Sequence, residues 1–220
     1  MKKIIVSGFI LIIAAGLAFS SAAKEKDSIK YPEPAGAATK EAGTGMAVFA
    51  GGCFWGVEGV FEQLKGVTNV VSGYSGGEAS TATYGQVGSG STGHAESIEI
   101  TYDSSVMNYE TLLKVFFSVA HDPTELNYQG PDVGTQYRSA IFFMNDVQKQ
   151  AAEKYIKLLD DAKVYPKKIV TEVTPYKAFY AAEDYHQNFM RNNPDYPYIV
   201  YWDLPKMERL KQEFPELLKK

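Results

Sequence analysis

A single cysteine, Cys53, is present in 220 residues. No disulfide can therefore form within the chain, and the thiol is buried and inert, paired with another chain, or reactive. Histidine is scarce as well, with only His94, His121 and His186. Their spacings are not those of a usual zinc site, and with one cysteine they give little reason to expect a bound metal. Positive charge is in deficit, 22 lysines and arginines against 26 acidic residues. No basic face is evident, so neither a nucleic acid nor an anionic membrane surface is the expected partner. The one long apolar run, Ile4 to Phe19, is short of the roughly 20 residues that a membrane span requires.

What is present supports one folded domain with a leader. With 45% hydrophobic and 13% aromatic residues, the chain can bury a core without disulfides. Met1 to Ala23 reads as a secretory signal: Lys2 and Lys3, the apolar run, then Ser21, Ala22 and Ala23. Cleavage is expected before Lys24, and an uncleaved leader would be a membrane anchor. No cysteine near that point could carry a lipid. Removing Lys2 and Lys3 leaves 20 basic residues against 26 acidic ones. Residues 24–45 are rich in Lys, Glu, Pro, Ala and Gly and read as a flexible tether. Residues 46–220 are the expected catalytic domain, exported to the periplasm or cell envelope.

Within that domain the patterning predicts strands at Met46–Ala50, Val67–Tyr74, Ala95–Tyr102, Ser139–Phe143 and Ile169–Thr174. Helices are expected at Phe54–Leu64, Tyr109–Ala120 and Val147–Leu159, with two more near Glu183–Arg191 and Pro205–Leu218. The order predicts an α+β two-layer sandwich, a mixed or antiparallel sheet packed against helices, with a ferredoxin-like core and terminal extensions.

Cys53 follows Gly51 and Gly52 and directly precedes the first helix, where amide N–H groups and the helix dipole would favour a thiolate. A lone cysteine is also commonly a small buried hydrophobe. Phe54 and Trp55 could wall an apolar pocket beside it. Phe54 shares the inner helical face and is in part an ordinary core residue, whereas Trp55 falls off that face. Glu96, with period-two spacing, lies on the apolar side of its strand with Ile98, Ile100 and Tyr102. A carboxyl there would have a raised pKa and could serve as a general acid; the alternative is that it ends the strand and reaches water. Gly88, Gly90 and Gly93 match a G-x-G-x-x-G string but lead into a strand, which excludes a dinucleotide fingerprint. Gly85–Gly93 reads instead as a mobile loop placing Tyr84 and His94 near the site. Asn127–Arg138 is a second candidate functional loop.

The strings GGCFWGVE at 51–58, SGYSGG at 72–77, TGHAES at 92–97, HDPT at 121–124, GTQYRSAI at 134–141 and YHQNFMRNNP at 185–194 resemble, in order and spacing, the A-type peptide methionine sulfoxide reductases. The resemblance runs from about Met46 to Tyr198. It implies that Cys53 is the nucleophile, Glu96 the acid, and Tyr84 and Tyr137 hydrogen-bond donors to the sulfoxide oxygen. It further implies that Phe54 and Trp55 hold the substrate's methyl group and that Asp132 helps position it. The implied reaction reduces the S epimer of methionine sulfoxide, free or in oxidised proteins and peptides, through a sulfenic acid on Cys53. Many members carry a resolving cysteine, which this chain lacks. Recycling is therefore expected from an external thiol, namely a thioredoxin-like protein, glutaredoxin or glutathione, with no bound cofactor and a monomeric enzyme. Two other readings compete: a Cys-His hydrolase or acyl transferase with His94 or His121 as base, and a binding module for methionine-rich peptides in which Cys53 is structural.

Overall fold

The computed structural model describes residues 30–34 and 43–220. The expected signal peptide and most of the expected tether lie outside the described residues. The elements run β1 (Thr44–Gly51), α1 (Phe54–Glu62), β2 (Val67–Ser75), α2 (Tyr84–Val87), β3 (Ala95–Asp103) and α3 (Tyr109–Val115). Then follow β4 (Tyr128–Gln129), β5 (Asp132–Val133), β6 (Ser139–Phe143), α4 (Asp146–Asp161), β7 (Glu172–Pro175), β8 (Phe179–Ala181), α5 (Phe189–Asn192) and α6 (Leu204–Glu213).

Six strands form one sheet in the order β7-β6-β1-β3-β2-β8. All neighbours are antiparallel except the parallel pair β6 and β7. The central four, β6-β1-β3-β2, have the order of a ferredoxin-like split βαβ unit, and the whole is a mixed sheet packed with helices. Alternation in the strands divides the two faces. Ala47, Phe49, Ile98, Ile100 and Ile141 join the main core with Phe61, Leu112 and Phe116 from the helices. Val48, Ala50, Ala95, Ala140 and Phe142 form a smaller cluster on the reverse side, under Met144, Tyr176 and Phe179. Among the described residues, no helix is long and apolar enough to cross a membrane.

Several elements differ from the sequence expectation, each for a local reason. The strand expected at Ile169–Thr174 starts at Glu172, because Ile169 is buried in the core before the pairing with β6 begins. The helix expected through Ala120 widens at Phe116 into a π-type turn. The one expected at Glu183–Arg191 is broken into a 3₁₀ turn and α5. At the break the Gln187 side chain accepts from Ser72 N–H at 3.0 Å and donates to Ser72 and Ala182 carbonyls at 2.9 Å, holding the chain extended against β2. Asn188 then takes a left-handed conformation, φ 55°. The short strands β4 and β5 lie within Asn127–Arg138, which was expected to be a loop, and β8 had no counterpart in the expectation. The Gly85–Gly93 stretch, expected to be mobile, opens inside a helical turn and is tied down by Gln136 and Thr135, which donate to Gly88 and Gly90 carbonyls at 3.2 and 2.6 Å.

Two segments outside the sheet pack onto the domain. Within the segment read as a tether, Tyr31 packs against the core and its hydroxyl accepts from Arg209 at 2.6 Å, while Tyr155 donates to the Pro32 carbonyl at 3.1 Å. Near the start of α1, Asp203 is fully buried, and a Cβ at Gly56 would collide with its carboxylate.

Candidate active site

β1 runs out of the sheet at Gly51, and Gly52, with φ +88°, turns the chain so that Cys53 sits at the N-cap of α1. A Cβ on Gly52 would strike the Gln129 side chain. Cys53 offers no side-chain cap to the helix. One amide of the first turn, buried and without a partner inside the helix, is satisfied from another element instead: Phe54 N–H donates to Glu96 Oε2 at 3.1 Å. Glu96 thus lies on the core face of β3 and points at the start of α1, beside the thiol.

Burial governs the electrostatics. Glu96 is 2% exposed. Desolvation, against the Phe54 N–H and with Asp132 adding to it, pushes its carboxyl up to about 8, so it is protonated at neutral pH. Cys53 is 8% exposed. Its thiol is pushed well above the ordinary range by burial first, then by Glu96 and Asp203; the Trp55 N–H works the other way and is outweighed. This corrects the expectation that the helix end holds a thiolate. The resting pair is a neutral thiol next to a neutral acid.

Tyr84 and Tyr137 are half-buried. Desolvation pushes the Tyr84 phenol up to about 12, with Glu96 and Cys53 next among the causes. The Tyr137 phenol is raised by burial, then by Glu96 and Asp132. Both are therefore protonated donors in the same charge neighbourhood as the thiol and the acid. Asp132, on β5, accepts a hydrogen bond from the Tyr198 hydroxyl. Burial raises its carboxyl, opposed by Tyr198 and Lys206.

Trp55 is partly exposed and stacks on Phe189 with ring centroids 3.8 Å apart. Tyr198 and Tyr196 stand edge-on to it with ring centroids 5.8 and 6.3 Å away, and its indole N–H donates to His186 Nδ1 at 3.2 Å. Those rings form an aromatic wall suited to a methyl group and thioether. Phe54 differs: at 1% exposure, against Tyr74 and His186, it belongs to the core behind that wall.

Several supporting groups were missed in the sequence. Glu183 accepts from Tyr74 OH at 2.8 Å and from Tyr84 N–H at 2.9 Å, fixing the tyrosine turn to β2. Glu58 accepts the Asn188 N–H at 3.0 Å, which holds the segment carrying His186 and Phe189. Glu58 closes the GGCFWGVE string that carries Cys53, so a local signal for it existed; Glu183, Tyr198 and Asp203 fall in no local pattern pointing to Cys53.

Neither of the histidines weighed as a base, His94 or His121, is free to activate the thiol. His94 bonds Gly77 N–H and the Glu78 carbonyl, and His121 bonds the Phe116 carbonyl and Ser139 Oγ, so both rings are fully engaged. Burial also pushes His121 down to about 3. Among the described residues no cluster could hold a metal ion. A cavity of about 410 Å³ also reaches Cys53, but Phe54, Trp55, Tyr84, Glu96 and Tyr137 do not line it.

A buried thiol at a helix start with a protonated carboxyl and two phenols around it, and with His94 and His121 both engaged elsewhere, fits thiol redox chemistry better than hydrolysis. The sequence model of the family described as peptide methionine sulfoxide reductase matches residues 45–218. The chain is 62% identical to the peptide methionine sulfoxide reductase MsrA 2 of Mesorhizobium japonicum, covering 80% of this chain and 90% of that protein. It is 52% identical to MsrA 2 of Synechocystis, covering 82% and 85%. Its fold is similar to that of Mxr1 from Saccharomyces cerevisiae in reduced form, with TM-score 0.65, 34% identity, and 70% and 87% covered. Methionine sulfoxide reductase A of Corynebacterium diphtheriae gives 0.61, 34%, 74% and 82%. The chain belongs to the peptide methionine sulfoxide reductase family and reduces methionine sulfoxide, as a peptide-methionine (S)-S-oxide reductase.

Proposed function

We propose that Cys53 carries the reduction, with Glu96 as its acid, and that the enzyme is recycled by a thiol from outside the chain. The observation that carries the reading is the Glu96 carboxyl group accepting from the first free amide of α1, held protonated beside the chain's one cysteine. Trp55, backed by Phe189, receives the methyl group, and Asp132 with Tyr198 orients the rest of the substrate.

As the Cys53 sulfur attacks the sulfoxide, negative charge grows on its oxygen, and Glu96 gives up its proton with the Tyr84 and Tyr137 hydroxyls donating alongside. The thiol proton returns to the Glu96 carboxylate. The net step breaks the substrate S–O bond and forms one on Cys53. Methionine sulfur gains two electrons and Cys53, now a sulfenic acid, loses two. With one cysteine in the chain no internal disulfide can follow. The reductant is a thioredoxin-like protein, glutaredoxin or glutathione. We expect the enzyme to act as a monomer, and the leader-like composition of residues 1–23 supports export to the periplasm or cell envelope. Turnover of the separated S and R epimers with dithiothreitol, beside an acyl-ester substrate, tests the reading. Reduction of the S epimer alone is expected; ester cleavage, or reduction surviving in Cys53→Ser, overturns it.

A further inference from the structure

Apart from Cys53 and Tyr198 at its inner end, the residues lining the cavity of about 410 Å³ beside the thiol have no part in the reduction chemistry. We propose that the cavity is the entrance for the recycling thiol, and that the thiol it takes is a small zwitterionic peptide thiol held between Tyr31 and the side chains of Lys206 and Arg209. The proposal rests on the reading that Cys53 is recycled from outside the chain.

Size is the first argument. A cavity of this volume falls in the range of small-molecule sites, roughly 300–1,000 Å³. Cys53 is only 8% exposed, so a reductant must reach in to its sulfur. The walls give the chemistry. Lys206 pairs with buried Asp203 at 3.0 Å, and Arg209 pairs with Glu213 at 2.8 Å and donates to Tyr31 OH at 2.6 Å. Both cations are fixed in place yet keep further N–H donors for carboxylates. Asp122, exposed on the same cavity, can take an ammonium group. Tyr165 and Trp202 supply apolar surface for the rest of a peptide. Tyr31 lies before the family match at 45–218, so this wall comes from the chain's own extension.

Direction is the second argument. Displacement at a sulfenic sulfur needs the thiolate to approach away from the departing oxygen, and that oxygen is left among Glu96, Tyr84 and Tyr137. The cavity offers a side that none of those three lines. The thiolate forms an S–S bond with Cys53 as the S–O bond breaks; the oxygen leaves as hydroxide and takes the Glu96 proton as water. The sulfenic sulfur is reduced and the incoming sulfur oxidised. A second molecule of the thiol then attacks the outer sulfur, and Cys53 leaves as thiolate and regains a proton.

The test is stopped-flow reaction of preformed Cys53 sulfenic acid with glutathione, with dithiothreitol as a neutral comparison, in the full chain and in Tyr31→Ala and Arg209→Gln. Loss of one charge-assisted contact or of the wall should lower the glutathione rate constant roughly 10-fold and the dithiothreitol rate less than about 3-fold. Melting curves of both variants check the fold, and Tyr31, outside the family domain, can be changed without touching its core strands. Equal losses with both thiols, or none with either, overturn the proposal. So does recycling by added thioredoxin at an unchanged rate while glutathione does not react. Failure of the underlying reading looks different: the unaltered chain then forms no sulfenic acid, or none that any thiol consumes.

Discussion

Replacing Glu96 with Gln should separate catalysis from stability, because the two depend on the same proton in opposite senses. The amide oxygen can still accept the Phe54 N–H, now 3.1 Å from Oε2, so the helix start keeps its partner. What is lost is the transferable proton, and the first-turnover rate should fall by roughly 10²- to 10⁴-fold, about 3–5 kcal/mol of barrier. Stability moves the other way. The carboxyl titrates at about 8 in the fold against 4.5 when solvated. Below pH 4.5 both states hold the proton; between 4.5 and 8 only the folded state does, so stability falls as pH rises across that window and the loss is complete above it. The whole interval is worth at most about 5 kcal/mol, and a neutral Gln removes it. Thermal melts near pH 5, 7 and 9 should therefore show the variant gaining on the natural chain as pH rises. Rapid-mixing release of methionine should show the natural chain slowing above pH of about 8, and the variant slow and flat throughout. A Gln variant with a near-normal first turnover, or a melting difference independent of pH, would refute the assignment of the acid.

Three further outcomes follow from the same geometry. Cys53→Ser should release no methionine while melting within about 1 kcal/mol of the natural chain, since the hydroxyl is close in size but a far weaker nucleophile; steady-state assay and calorimetry check it. Trp55→Ala removes the ring stacked on Phe189 and the donor to His186, and should raise KM roughly 10-fold with a smaller change in kcat, as expected when binding surface is lost. Tyr198→Phe takes from Asp132 the hydrogen bond that opposes its upward shift; the Asp132 carboxyl should rise further, and the acid limb of the kcat/KM profile should move to higher pH.

The part of the site that follows a short-range rule was legible in the sequence. Period-two spacing placed Glu96 on the core face of β3 with Ile98 and Ile100, where the structure has it. The helical wheel set Trp55 apart from Phe54, and the two do differ in exposure. The ferredoxin-like order of β1, α1, β2, β3, α3 and β6 came from the same alternations. What was missed depends on long-range partners. Glu183 meets Tyr74 and Tyr84 across 109 and 99 residues, and Tyr198 meets Asp132 across 66. The Glu183–Arg191 helix was misread because Gln187 is worth more as a bridge to the Ser72 backbone than as a helical residue. Position at a helix start suggested a thiolate at Cys53, but burial with Glu96 and Asp203 nearby, which no local pattern reveals, outweighs the amide.

The most direct test of the central claim is intact mass and dimedone trapping after the protein is mixed with excess S-epimer methionine sulfoxide and no reductant. The account predicts about one methionine released per chain, one oxygen gained, and the dimedone adduct on Cys53. Repeated turnover without added thiol, or an oxygen found on any residue other than Cys53, would contradict it.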